Sequence, residues 1–171
     1  MLSNRCKGDH AVPRQRSEIL HATALSINGN GVLLIGKSGS GKSDLALRCL
    51  SLSTGPFLEA PFQLVSDDQS VVTLRDEIVT LKAPDTIAGK LEVRGVGIMD
   101  VPFANEARLC LVAQLIDGEV ERHPALNPGF TTILGKSFYS LSLRPFEVSA
   151  PIKLALALRE QAALPVPIEK L

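Results

Sequence analysis

The chain has 171 residues, close to the length of one ordinary domain, and 45% of them are hydrophobic, enough for a packed core. Eighteen Lys and Arg balance eighteen Asp and Glu, so no net charge draws the chain to nucleic acid or to an anionic membrane. Glycine and proline, 13 and 11 residues, are too few for a low-complexity chain.

Cys6, Cys49 and Cys110 have no CxxC spacing, which fits a reducing compartment and argues against a cysteine-held metal or redox centre. No apolar run approaches the ~20 residues needed to cross a bilayer, and residues 1–16 lack the apolar stretch of a secretory signal. The expectation is a soluble cytoplasmic protein.

Residues 1–17 are polar and basic with little periodicity and read as a flexible N-terminal arm; residues 18–171 read as one domain. Residues 19–27 form an apolar strand running into the turn signal Asn28-Gly29-Asn30-Gly31, and Val32-Leu33-Leu34-Ile35 resumes as a buried strand. After a glycine-rich stretch, Leu45, Ala46, Cys49 and Leu50 recur at helical spacing until Ser53-Thr54-Gly55-Pro56.

Residues 62–66 then run as a strand into Asp67-Asp68, and residues 71–74 and 78–81 flank Arg75-Asp76-Glu77 as a hairpin. A strand starting at Lys90 enters a segment that Gly95 and Gly97 bend. Residues 107–116 form another strand, residues 131–143 one or two more, and a final helix begins with Ser149 as its cap and Pro151 in its first turn. This succession predicts an α/β fold, a mixed sheet with flanking helices.

Gly36-Lys37-Ser38-Gly39-Ser40-Gly41-Lys42-Ser43 satisfies the phosphate-binding pattern G-x-x-x-x-G-K-[ST] in full, with the strand before it and the helix after it that the pattern requires. Glycine lets the loop turn its backbone N–H groups inward around phosphates, and the helix presents its positive end to the same anion. Lys42 is spaced to reach the β and γ phosphates, and the Ser43 hydroxyl to coordinate Mg2+. A glycine-rich turn with an incidental lysine would not need both flanks. The loop implies ATP or a related nucleotide and leaves the acceptor open.

Asp67 and Asp68 close a strand, where one carboxylate suits a metal shell and the other suits accepting a proton from an attacking hydroxyl. Without the upstream loop, a plain strand-end turn is the simpler account. Glu92 and Arg94, two apart in a strand-like segment, would share one face. Metal and phosphate binding compete there with an exposed ion pair.

Together, His21-Ala22, the loop Gly36 to Ser43, Leu64-Val65-Ser66-Asp67-Asp68 and Leu91-Glu92-Val93-Arg94-Gly95-Val96-Gly97-Ile98-Met99-Asp100-Val101 closely resemble the catalytic domain of bacterial HPr kinase/phosphorylase. The segment from Leu91 is similar to that family's own signature and is more specific than the phosphate loop. The resemblance covers residues 18–164 and is nearest to the short form of alphaproteobacteria, since the usual extra N-terminal domain has no counterpart.

The resemblance implies a P-loop kinase domain related to phosphoenolpyruvate carboxykinase, assembled as a homohexamer. It implies a kinase that uses ATP and Mg2+ to phosphorylate a seryl residue of the phosphocarrier HPr, and a phosphorylase that removes the group with inorganic phosphate to give pyrophosphate. By motif position, His21, Lys42, Asp67, Asp68 and Glu92 match active-site positions, with Ser43 and Glu92 as magnesium ligands. Arg122, in Val120-Glu121-Arg122-His123-Pro124, stands where the family keeps a catalytic arginine.

One departure is visible. The family carries V-P-[IV]-[KR]-P-G-R-N before its last helix, associated chiefly with dephosphorylation, whereas this chain reads Ala150-Pro151-Ile152-Lys153-Leu154-Ala155-Leu156-Ala157. A flexible turn and a phosphate-seeking guanidinium are lost, so the resemblance supports the kinase direction more than phosphorolysis. Two rivals follow from the P-loop alone: a small-metabolite kinase, and a nucleotide-binding switch without transfer chemistry.

Overall fold

A computed structural model describes residues 15–122 and 128–164. The chain opens with β1 (Arg16–Leu20), β2 (Thr23–Ile27) and β3 (Asn30–Ile35). Asn28 and Gly29, at φ 51° and 77°, form the two-residue turn that pairs Ile27 with Asn30, a geometry these residue types accept readily. Then come α1 (Lys42–Leu50), β4 (Gln63–Ser66), β5 (Ser70–Arg75) and β6 (Ile78–Lys82). A 3-10 turn at Asp85–Ile87 precedes β7 (Lys90–Val93) and β8 (Gly97–Asp100). The rest is β9 (Ala107–Leu115), β10 (Gly129–Ile133), β11 (Lys136–Leu143) and α2 (Ala150–Ala162).

Three local readings need correction. Residues 19–27 are two strands, because β1 pairs with β5 while β2 lies between β3 and β4, and the chain changes neighbours at His21 and Ala22. Residues 90–100 are a separate hairpin that turns after Val93, so Glu92 lies on a strand, Arg94 in the turn, and the two do not share a strand face. Ser149 sits at the N-cap of α2 without a capping side-chain bond; backbone bonds from Ala150 to Glu147 O and from Lys153 to Ser149 O begin the helix instead.

The main sheet has nine strands in the order β1-β5-β6-β9-β3-β2-β4, with β11 also on β9 and β10 on β11. β3, β9 and β11 are parallel, and β2 runs antiparallel between β3 and β4, so β4 points the same way as β3. The carboxyl ends of β3, β4, β9 and β11 therefore share one edge, where ligands bind in open α/β sheets.

Pleating divides the core. Val32 and Leu34 face α1 and α2 through Leu45, Ala46, Cys49, Leu154, Ala155 and Leu158, whereas Leu33 faces Val72, Val79, Leu81 and Phe138. Both helices thus cover one face, and the sheet's own curl covers the other. The expected mixed sheet with flanking helices is present in this one-sided form.

Candidate active site

The phosphate loop leaves β3 and enters α1. Gly39 and Gly41 sit at φ 76° and 92°, and Gly41 is the N-cap of α1, which has no side-chain cap. The left-handed backbone favours glycine at Gly41, and a β-carbon there would stand 2.8 Å from Phe146 Cζ, so a side chain would also have to displace that ring. Lys42 is buried and its ammonium donates to the carbonyls of Gly36 and Lys37 at 3.1 and 3.2 Å, bridging the loop. Ser40 Oγ is buried without a hydrogen-bond partner.

The acidic pair divides by conformation. Asp67, 6% exposed, accepts at one oxygen from Thr23 Oγ1 at 2.8 Å and Ser43 Oγ at 2.9 Å, and at the other from the Glu92 backbone N–H at 3.2 Å. Asp68 has φ 63°, a left-handed conformation that aspartate tolerates, and its carboxylate is largely exposed. His21 Nδ1 lies 3.0 Å from Asp68 Oδ1, and Ala22 N–H donates to the Asp68 carbonyl at 3.2 Å. One aspartate thus faces the loop serine and the other faces solvent.

His21 occupies the bend between β1 and β2, outside the single strand expected over residues 19–27. It still reaches the same edge, because β2 is antiparallel to β3 and begins where β3 ends. Glu92 meets Asp67 through its main chain, with its side chain exposed. Arg122 is exposed seven residues beyond β9 and makes no hydrogen bond or ion pair with another described residue. The structure therefore joins Lys42, Ser43, Asp67, Asp68 and His21 without joining Arg122 or the Glu92 carboxylate to them.

Two contributors escaped the sequence reading. Thr23 is fully buried, and a buried hydroxyl needs a partner, which was the available signal. Arg48 donates from α1 to the carbonyls of Pro145 and Glu147, tying the loop after β11 to the phosphate-loop helix; no local pattern announced it.

The donors suit a magnesium nucleotide. Uncapped first-turn N–H groups of α1, the Lys42 ammonium and the orphaned Ser40 hydroxyl suit phosphate oxygens, and the Ser43 and Asp67 oxygens suit a hard cation. Among the described residues no three His, Cys, Asp or Glu side chains form a metal cage.

The remaining cysteines are structural. Burial pushes the Cys49 thiol up to about 12 and also raises Cys110, so neither supplies a ready nucleophile.

Comparison with known proteins agrees with this geometry. The family model described as HPr Serine kinase C-terminal domain matches residues 14–116, which include the phosphate loop, both aspartates and the β7–β8 hairpin. An HPr kinase/phosphorylase of Cupriavidus metallidurans is 35% identical over 136 residues, 73% of this chain and 39% of that protein. One of Burkholderia cenocepacia is 39% identical over 116 residues, 61% of this chain and 34% of that protein. The chain thus spans less than half the length of these relatives.

The solved HPr(Ser) kinase/phosphatase of Coxiella burnetii superposes with a TM-score of 0.67 at 24% identity, over 85% of this chain and 90% of that one, which establishes a shared fold. With the family model matching more than half its length, the chain belongs to the HPr serine kinase C-terminal domain family.

Proposed function

We propose that this chain is an ATP-dependent protein serine kinase acting on HPr or an HPr-like phosphocarrier within a regulatory phosphotransferase system. The observation that carries this reading is the division of labour at one sheet edge: Asp67 bonded to Ser43, and Asp68, exposed, beside His21. Relatives named HPr kinase/phosphorylase supply the acceptor's identity.

Loop amides and Lys42 hold the phosphates, with Lys42 giving up its carbonyl partners to do so. Ser43 and Asp67 would hold Mg2+, which neutralises phosphate charge when bound. Glu92 joins that set only if its exposed side chain turns inward. Asp68 accepts the proton of the incoming seryl hydroxyl. A carboxylate only accepts, so His21 Nδ1 carries the proton in their hydrogen bond and orients Asp68. Arg122 serves the transferring group if its segment folds over the edge.

The reverse reaction needs Asp68 protonated, to give its proton to the departing seryl oxygen as inorganic phosphate attacks the phosphoserine phosphorus, the seryl O–P bond breaks and pyrophosphate forms. Here Ala155, Leu156 and Ala157, which stand where the family has Gly-Arg-Asn, are a continuous part of α2, so neither the turn nor the guanidinium has a counterpart. We therefore propose kinase activity as the principal direction. Arg16 and Ser17 already pair with β5, so the sheet begins two residues before the expected domain start. The homohexamer and the cytoplasmic setting belong to the same proposal; the described residues contain no helix long and apolar enough to cross a membrane.

A small-metabolite kinase gains no support from the cavity of about 170 Å³ lined by Arg108, Phe130 and Tyr139. Arg108 pairs with Asn30 at the far end of β3 from the phosphate loop, about 15–20 Å away by strand rise. The deciding experiment incubates the chain with γ-labelled ATP, Mg2+ and HPr, then adds inorganic phosphate. Label on serine is the expected result, and its phosphate-driven release as pyrophosphate would establish the reverse activity as well. ATP binding without label on HPr or its nitrogen-related paralogue would remove the substrate assignment.

A further inference from the structure

The reading above uses the phosphate loop and the flank of it that carries the acids, and leaves the other flank unexplained. At this sheet edge the strands run β11-β9-β3-β2-β4. Asp67 and Asp68 follow β4 on one side of β3, and residues 144–149 follow β11 on the opposite side. Phe146 belongs to that second flank. Its ring lies against the last glycine of the phosphate loop, 2.8 Å from where a β-carbon on Gly41 would stand, yet 66% of the residue is exposed.

The ring is not loosely placed. Arg48 donates to the carbonyls on either side of it, those of Pro145 and Glu147, and Glu147 is ion-paired to Lys153 of α2. The loop is thus anchored both to the helix that begins at the phosphate site and to the helix that follows. A large apolar ring held in water by such anchors gains nothing from burial in this chain. It offers an aromatic platform beside a phosphate cradle.

We propose that Phe146 is the nucleobase platform of this site: the base of the nucleotide whose phosphates fill the Gly36–Ser43 loop stacks on the exposed face of its ring, on the flank away from Asp67 and Asp68. The proposal rests on the nucleotide-kinase reading and extends it to the far end of the nucleotide. Two flanks of one strand suit the two ends of a nucleoside triphosphate, the reacting phosphate toward the acids and the base toward the aromatic. Stacking on a single ring favours a purine by its larger face without sharply selecting among purines.

The test compares ATP with inorganic tripolyphosphate, each with Mg2+, by calorimetry on the full chain. Phe146→Ala weakens ATP about tenfold, the scale of losing one aromatic partner for a base, and leaves tripolyphosphate within twofold. Phe146→Trp restores ATP affinity and, since the natural chain has no tryptophan, supplies a single indole whose fluorescence ATP quenches and tripolyphosphate does not. Equal losses for both ligands would make Phe146 a prop for the loop, and an unchanged ATP affinity would make it a surface for another protein; either overturns the proposal.

Failure of wild-type chain to bind either ligand would overturn the nucleotide reading and this one together. Normal discrimination by Phe146→Ala with no phosphorylation of HPr would leave the platform standing and remove only the kinase assignment.

Discussion

Ser43 Oγ and Asp67 Oδ1 stand 2.9 Å apart, joining the end of the phosphate loop to the end of β4 across the intervening β2. The contact places a hydroxyl and a carboxylate together where a hard cation can use both, and it commits Asp67. Asp68, its neighbour in sequence, stays available for proton transfer.

The two aspartates should therefore fail in different ways. Asp68→Asn is expected to lower kcat for HPr phosphorylation by 10²–10⁴ with ATP affinity within about twofold, because only the proton acceptor is lost. Asp67→Asn is expected to raise the Mg2+ concentration required for ATP binding. Steady-state kinetics with magnesium titrations separates them, and identical profiles would refute the division.

Thr23 has no contact with any reacting group in this account and acts through Asp67. Thr23→Val keeps the shape but removes a buried donor from a buried carboxylate, costing about 1–3 kcal/mol by urea unfolding. The magnesium requirement should rise with it, and Thr23→Ser should recover both. A stability loss with an unaltered magnesium requirement would reduce Thr23 to a core residue.

Gly41 is constrained twice, by its φ of 92° and by the Phe146 ring. Gly41→Ala is expected to destabilise the fold by about 1–3 kcal/mol and to weaken nucleotide binding. Adding Phe146→Ala should recover part of the stability, since the ring is the atom group in the way; no recovery would assign the whole cost to the backbone.

The Cys49 thiol, raised to about 12 by burial, stays protonated in the native state at pH values where the unfolded chain has a thiolate. Its contribution is fully present below about pH 9 and is lost as pH rises towards 12, at up to about 1.4 kcal/mol per pH unit. Urea midpoints at pH 8 and pH 10.5 should therefore differ less in Cys49→Ala than in the natural chain. Cys110, shifted the same way, keeps some of the slope in the variant. Equal slopes would show that the Cys49 thiol titrates normally.

Local chemistry made much of this chain legible. The phosphate loop needs three glycines and a Lys-Ser pair in a fixed spacing, the Asn28-Gly29 turn needs two positive φ values, and the apolar runs need an inner face; each demand is met within a few neighbouring residues. The acidic pair was visible for the same reason, as polar residues closing an apolar strand. Its roles were not. Asp67 and Asp68 are alike in composition, and only the left-handed turn at Asp68, together with the approach of Thr23 and Ser43 from elements 44 and 24 residues away, sends one inward and the other out. The same limit hid the partition of residues 19–27 into two strands, the main-chain role of Glu92 and the seat of Phe146 against Gly41. Those depend on which strands become neighbours, and strand order is settled by packing both faces of one curled sheet at once, a condition that no short stretch of chain contains.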